Sequence, residues 1–154
     1  MKKLYLFILF LAINFGALAL GNYFMGDAVS GEWYKHLNKA PWTPPGWVFG
    51  ATWTLIMICF SVYLSYLFSV RNSTFVKTLY GLAVILNVSW NYVFFSQQLT
   101  TLGFVNISLL TLLIFYFFIT FGDDQLSRTK YLLLPYMIWM CMATSLNGYI
   151  LFYN

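Results

Sequence analysis

The chain has 154 residues, of which 61% are hydrophobic and 8% charged, with a mean hydropathy of +0.74. Soluble domains carry about 25% charged residues, and a chain this apolar lacks the polar surface to cover a core in water, so the composition excludes an ordinary soluble domain and makes lipid the solvent. The net charge of +4 comes from a few Lys and Arg residues near the ends of apolar runs, which is an orientation signal and not a nucleic-acid footprint.

Residues 4–26 contain no charge. They follow Lys2 and Lys3 and include Ala17, Leu18 and Ala19, a pattern shared with cleaved leader segments. The apolar run nevertheless continues through Tyr23, Phe24 and Met25 and is long enough to span, so it reads as the first transmembrane helix. Its small-xxx-small pairs, Ala12/Gly16 and Ala17/Gly21, allow close helix approach. Residues 27–43 are a polar connection with Asp27, Glu32, Lys35 and Lys39. Pro44 and Pro45 open the second span, 44–69, where proline is tolerated because first-turn amides lack helical partners. Arg71 and Lys77 bracket a short turn.

No charge occurs between residues 78 and 122. As one helix that run would exceed about 60 Å, roughly twice the hydrocarbon thickness, so it folds back. Its densest polar cluster, residues 97–101, places a tight hairpin between a third span at 78–97 and a fourth at 102–121. Asp123, Asp124, Arg128 and Lys130 form the next loop, and a fifth span covers 131–152. Backbone groups in lipid must be bonded within helices or a closed barrel, and these runs lack the alternation of barrel strands. The expectation is an all-α integral membrane protein: a five-transmembrane-helix bundle, one membrane domain over residues 1–154, with residues 27–43 as a lid. Lys2, Lys3, Arg71, Lys77, Arg128 and Lys130 fall on one side, and Lys35 and Lys39 on the other, which puts the N-terminus in the cytoplasm.

Six tryptophans fall into two groups. Trp33, Trp42 and Trp47 lie near the outer boundary, where an interfacial belt accounts for them. Trp53 and Trp90 each lie about 13 Å from the outer ends of their spans, and Trp139 is near the middle of the fifth. A deep indole seeks a partner for its N–H, so these three face the protein interior, as packed core or as the wall of a cavity. Asn87 and Asn91 share a face of the third span with Trp90 and Phe94; Asn106 lies early in the fourth, and Thr144 and Asn147 in the fifth. A buried amide is costly unless bonded. Each Asn serves either as a tie between helices or as a polar anchor of a pocket. Together they place an aromatic pocket in the outer half of the bundle, under the Trp-rich stretch, suited to large flat aromatic ligands.

The spans hold no carboxylate, and the chain has no nucleophile–His pair, phosphate loop or metal-ligand spacing. No catalytic or metal-binding residue is therefore assigned, and no cofactor beyond a bound ligand. His36 stands alone, and Cys59 and Cys141 read as small hydrophobes within apolar runs. Gly46-xxx-Gly50 matches the helix-dimer pattern only weakly, at a span end beside prolines.

Three motifs in order, W-Y-x-x-L-x-K and W-x-P-P at residues 33–45 followed by Trp53, L-N-x-x-W-x-x-x-F-F at 86–95, and P-Y-x-x-W-x-x-x-A-T-x-L-N at 135–147, resemble the signature of the TspO/MBR family of tryptophan-rich sensory proteins, which includes the mitochondrial translocator protein. The resemblance implies a five-helix bundle, often a homodimer, in a bacterial cytoplasmic membrane or the mitochondrial outer membrane. It implies binding of porphyrins such as protoporphyrin IX and related hydrophobic aromatic ligands, with cholesterol in animal members. Carried over by motif, Tyr34, Trp53, Asn87, Trp90, Trp139 and Ala143 are the ligand-binding residues. The resemblance implies a receptor or sensor; the alternatives are an enzyme promoting light-dependent porphyrin degradation and, less favoured, a transporter of tetrapyrrole or lipid. No carboxylate relay or internal repeat supports transport. Membrane lipid is the surrounding partner, and no nucleic acid is expected. Departures from the family pattern are Met57 and Phe60-Ser61 after the second-helix Trp, Asn106 where an acidic residue is frequent, and the absence of a basic residue after Tyr149, which lowers the expectation of sterol binding.

Overall fold

The computed structural model describes residues 2–122 and 125–154; Asp123 and Asp124, expected in the last loop, lie outside the described residues. Among these, all regular structure is helical. The chain runs through α1 (Lys2–Met25), a short α2 (Glu32–His36), α3 (Gly46–Val70), α4 (Thr74–Asn91) continued by a π-helical turn (Tyr92–Ser96), α5 (Thr100–Thr120) and α6 (Leu134–Tyr153). Single 3-10 turns at Ala28–Ser30 and Thr129–Leu133 precede α2 and α6. Five long helices thus form an integral membrane bundle. Lys2–Met25, Gly46–Val70, Thr74–Ser96 and Thr100–Thr120 are each long and apolar enough to cross a membrane. The fifth, α6, is 20 residues long and has no charge, but Pro135, Thr144, Ser145 and Asn147 make it less apolar than the others. The second helix begins at Gly46, with Pro45 as its N-cap in extended conformation, two residues later than the prolines suggest.

The chain reversals have local causes. Gly26 adopts φ +51 after α1 and its N–H bonds back to Asn22 O, a left-handed helix stop that glycine takes without a Cβ penalty. The expected hairpin between the third and fourth spans comprises Gln97, Gln98 and Leu99, with Gln98 at φ 57. The wider π turn before it brings the adjacent rings of Phe94 and Phe95 both inside the protein. Gly103 of α5 lies against Phe94, where an added Cβ would meet Cδ2 at 2.9 Å, so glycine is what lets α5 approach that turn. The loop between α3 and α4 ends at Ser73, an N-cap whose side chain accepts from Val76 N.

Burial along α3 is strongly uneven. Its buried residues all lie between 56 and 68, and none precedes Ile56. There its rings reach the centre of the bundle: Phe60 and Tyr63 meet Phe117 of α5, and Phe60 also meets Tyr80 of α4 and Tyr136 of α6. The half of the bundle around residues 56–68 is therefore solid core, and the half where α3 begins, on the side of the lid, is not.

Polar ties cross this core. Asn14 of α1 donates to Ser61 Oγ of α3 at 2.9 Å and accepts from Tyr80 Oη of α4 at 2.9 Å, so one amide joins three helices. Asn106 Nδ2 donates to Ser89 Oγ at 2.8 Å, joining α5 to α4, and the Thr111 and Thr144 hydroxyls pair at 2.8 Å between α5 and α6. Asn106 thus serves as a tie between helices. Its Oδ1 is the buried side-chain polar atom left without a partner among the described residues. Of the two small-residue pairs in α1, Gly21 marks a close approach, with an added Cβ 2.7 Å from Asn91 Nδ2, whereas nothing lies near Gly16.

Replacing Asn14 by Leu leaves the Tyr80 hydroxyl without an acceptor inside a lipid-bounded core. Unfolding in detergent is expected to show a loss of about 1–3 kcal/mol. Tyr80→Phe should cost less, and the double variant should cost less than the two losses added, because both remove the same bond.

Candidate functional site

The hollow half of the bundle, on the side of the lid, holds a cavity of about 630 Å³. Five helices and the lid enclose it: Leu18 and Asn22 from α1, Phe49, Gly50 and Trp53 from α3, Asn87, Trp90 and Asn91 from α4, Ile107 from α5, and Trp139, Ala143 and Asn147 from α6. Phe94 and Phe95 of the π turn close one side, and Tyr34, Lys39 and Thr43 of the first connection lie across the mouth. Ligand pockets typically occupy about 300–1,000 Å³ with mostly apolar walls and a few placed polar groups, and this cavity meets each part of that description.

Ring contacts order the walls. Trp139 meets Phe49 edge-on at 5.1 Å, and Trp53 meets Tyr136 edge-on at 5.9 Å, so α3 and α6 join through four rings, of which Phe49, Trp53 and Trp139 line the cavity. Trp90 stacks on Phe94 at 5.3 Å with an interplanar angle of 13°, forming one flat face. The polar groups are held by the protein itself. Trp90 Nε1 donates to Asn147 Oδ1 at 3.1 Å, Asn147 Nδ2 donates to Ala143 O at 3.0 Å, and Asn87 Nδ2 donates to Tyr136 Oη at 2.9 Å. Asn87 and Asn147 therefore tie helices together and line the cavity at once. Trp90 is the deep indole whose N–H is taken up by protein among the described residues; Trp53 and Trp139 make ring contacts only.

The lid is folded and fastened on two sides. Trp33 of α2 packs edge-on against Phe94 at 5.7 Å, and Tyr34 packs against Phe95 at 5.4 Å. Trp33 thus rivets the lid to the π turn, while Trp47 is 75% exposed. Burial raises the pKa of the Tyr34 phenol, which keeps it neutral above the cavity. On the other side the lid is pinned to α6. Asn38 N donates to Asn154 Oδ1 at 2.8 Å, Asn38 Nδ2 to Tyr153 O at 3.0 Å, and Trp42 Nε1 to Ser145 Oγ at 3.1 Å, with the Trp42 ring edge-on to Tyr149 at 5.5 Å. Ser96 Oγ also bonds Phe24 O, tying the π turn to the end of α1.

Tyr34, Trp53, Asn87, Trp90, Trp139 and Ala143, gathered from four separate elements of the sequence, all line this one cavity. Sequence reasoning missed Phe49, Gly50, Asn22 and Lys39. Gly46, Gly50 and Trp53 recur at helical spacing, a signal that they share a face. Nothing lies within 4 Å of an added Cβ at either glycine, so Gly46-xxx-Gly50 borders the cavity and is not a tight helix contact. Among the described residues no cluster of His, Cys, Asp or Glu has metal-ligand geometry. Cys59 and Cys141 are free thiols.

The TspO/MBR family model matches residues 7–153. The chain is 32% identical to the tryptophan-rich protein TspO of Archaeoglobus fulgidus over 89% of this chain and 86% of that protein. It is 32% identical to the tryptophan-rich protein TspO of Chlorobaculum tepidum over 96% of this chain and 97% of that one. The human translocator protein is 30% identical over 85% of this chain and 82% of its own length.

Trp90→Phe keeps the ring stack on Phe94 but removes the N–H that Asn147 accepts. It is expected to lower stability by about 1 kcal/mol, against about 3–5 kcal/mol for Trp90→Ala, as read by thermal unfolding in detergent.

Proposed function

Because this chain belongs to the TspO/MBR family of membrane proteins, we propose that it is a receptor whose outer cavity binds porphyrins, protoporphyrin IX among them, and related hydrophobic aromatic ligands. One observation carries the reading: Trp53, Trp90 and Trp139 come from three helices and line the same cavity of about 630 Å³. A flat macrocycle gains most from such walls, since each ring contact contributes about 0.5–1.5 kcal/mol beyond the apolar area it covers. The Asn87 and Asn147 amides and the Trp90 N–H are already bonded within the protein, so a large apolar ligand enters without leaving those groups unpaired. Tyr34, Asn87 and Ala143 complete the proposed binding set.

The same residues favour a second reading, an enzyme promoting light-dependent porphyrin degradation. The Trp53 ring lies at the cavity wall and touches Tyr136, so a bound porphyrin excited by light has an indole within van der Waals reach with which to exchange an electron, and dissolved dioxygen is the oxidant that breakdown of the macrocycle would consume. That chemistry needs no acid, base or metal in the wall. The distribution of Lys and Arg supports an N-terminus in the cytoplasm of a bacterial cell, with the lid outside. A homodimer is proposed by family likeness alone.

Titration of purified protein with protoporphyrin IX in the dark is expected to give saturable quenching of tryptophan fluorescence. Trp53→Ala or Trp139→Ala should weaken binding by about tenfold each. Ala143→Phe, which places a ring inside the cavity beside Trp139, should abolish saturation while leaving the protein folded. Unchanged affinity in all three variants rejects the cavity as the site. Illumination of the complex separates the two readings: stable absorption bands favour the receptor, and bleaching that slows in Trp53→Phe/Trp139→Phe favours the enzyme.

A further inference from the structure

A second, much smaller cavity of about 10 Å³ lies between the helices. Asn14 of α1, Met57 and Phe60 of α3, Ala83 and Asn87 of α4, and Tyr136 of α6 line it, and all six are buried. A space of about 10–15 Å³ is enough for one water molecule, which is held where two to four polar partners surround it. A purely apolar void stays dry, but this one has two amides and a phenol in its wall.

Those three side chains have bonding capacity left over. A side-chain amide has two N–H donors and two oxygen lone pairs, and a phenol has one O–H donor. Asn14 Nδ2 donates to Ser61 Oγ at 2.9 Å and Asn14 Oδ1 accepts from Tyr80 Oη at 2.9 Å, which leaves one N–H and one lone pair. Tyr136 Oη accepts from Asn87 Nδ2 at 2.9 Å, and the phenol's own proton has no acceptor among the described residues. Turning the Asn87 amide over gives that proton an acceptor but leaves both amide N–H groups without the phenol, so a donor is left over either way. Away from water an unpaired donor is costly.

We propose that this cavity is the binding site of a single structural water, which accepts the Tyr136 proton and donates to the open lone pair of Asn14 Oδ1. The water joins two ties that share no direct bond among the described residues: Ser61, Asn14 and Tyr80 across α1, α3 and α4, and Asn87 and Tyr136 across α4 and α6. One hydrogen-bonded network then runs through four helices. Asn87 also lines the large cavity, so the network reaches the wall of that cavity and connects it to α1. The assignment holds whatever the large cavity binds.

The test is a crystal structure of the whole protein grown from lipid, at a resolution that shows buried waters. One peak is expected within about 3.0 Å of both Tyr136 Oη and Asn14 Oδ1. Tyr136→Phe should lose the peak. Ala83→Ser brings a hydroxyl to the wall of the same space and should replace the water while melting at least as high as the unaltered protein. Ala83→Val fills the space without a polar atom and should melt below Ala83→Ser. A structure with no peak there overturns the proposal, and so does a peak bonded to only one of the two groups. Equal melting of Ala83→Val and Ala83→Ser also overturns it, because the polar wall would then need no partner.

Discussion

A side-chain amide inside a bilayer has no water to bond, so each must find its partner in the protein or cost several kcal/mol. Here that constraint does much of the positioning. Asn14 holds α1 to α3 and α4 through Ser61 and Tyr80, Asn87 holds α4 to α6 through Tyr136, and Asn147 holds α6 to α4 through Trp90. Lipid tails are as apolar as leucine, so burial of leucine gives little reason for one helix to choose another. Directional bonds supply that choice. The last two of these ties lie at the cavity wall, so the interactions that fix helix positions also fix the rings around the space.

The bundle is asymmetric along the membrane normal for a related reason. From Ile56 onward α3 buries its inward face, and the rings of Phe60, Tyr63, Tyr80, Phe117 and Tyr136 fill the centre. Above it, α3 presents Gly46 and Gly50, which fill nothing. The volume those side chains omit is bounded by Trp53, Trp90 and Trp139 and covered by the lid. A cavity of about 630 Å³ persists because it is framed by rigid rings, tied amides and a lid bonded to α6, which resist the collapse that would otherwise fill it.

Much of this was legible beforehand. The charge-free runs separated the helices, since charge is confined to their ends, and Gln97, Gln98 and Leu99 turned where the length of the run required a reversal. The depth of Trp53, Trp90 and Trp139 marked them as inward-facing. The contact of Trp33 with Phe94 was not legible, because position along the chain reports nearness to the interface while the contact depends on a π turn that no local pattern announced. Asn14 was passed over because a single amide in an apolar helix carries no spacing signal, and Ser61 and Tyr80 lie 47 and 66 residues away.

Composition and charge placement by themselves determined that this is an integral membrane protein built of helices, because hydrocarbon admits no other solution for 154 residues this apolar without barrel alternation. The motifs by themselves determined the family. Only the tertiary structure decided that deep tryptophans from three helices share one wall, that Asn87 and Asn147 act as ties while lining a cavity, and that Lys39 reaches its rim. Those facts depend on helix rotation and on where the lid is fastened, which are set by bonds between residues far apart in the chain.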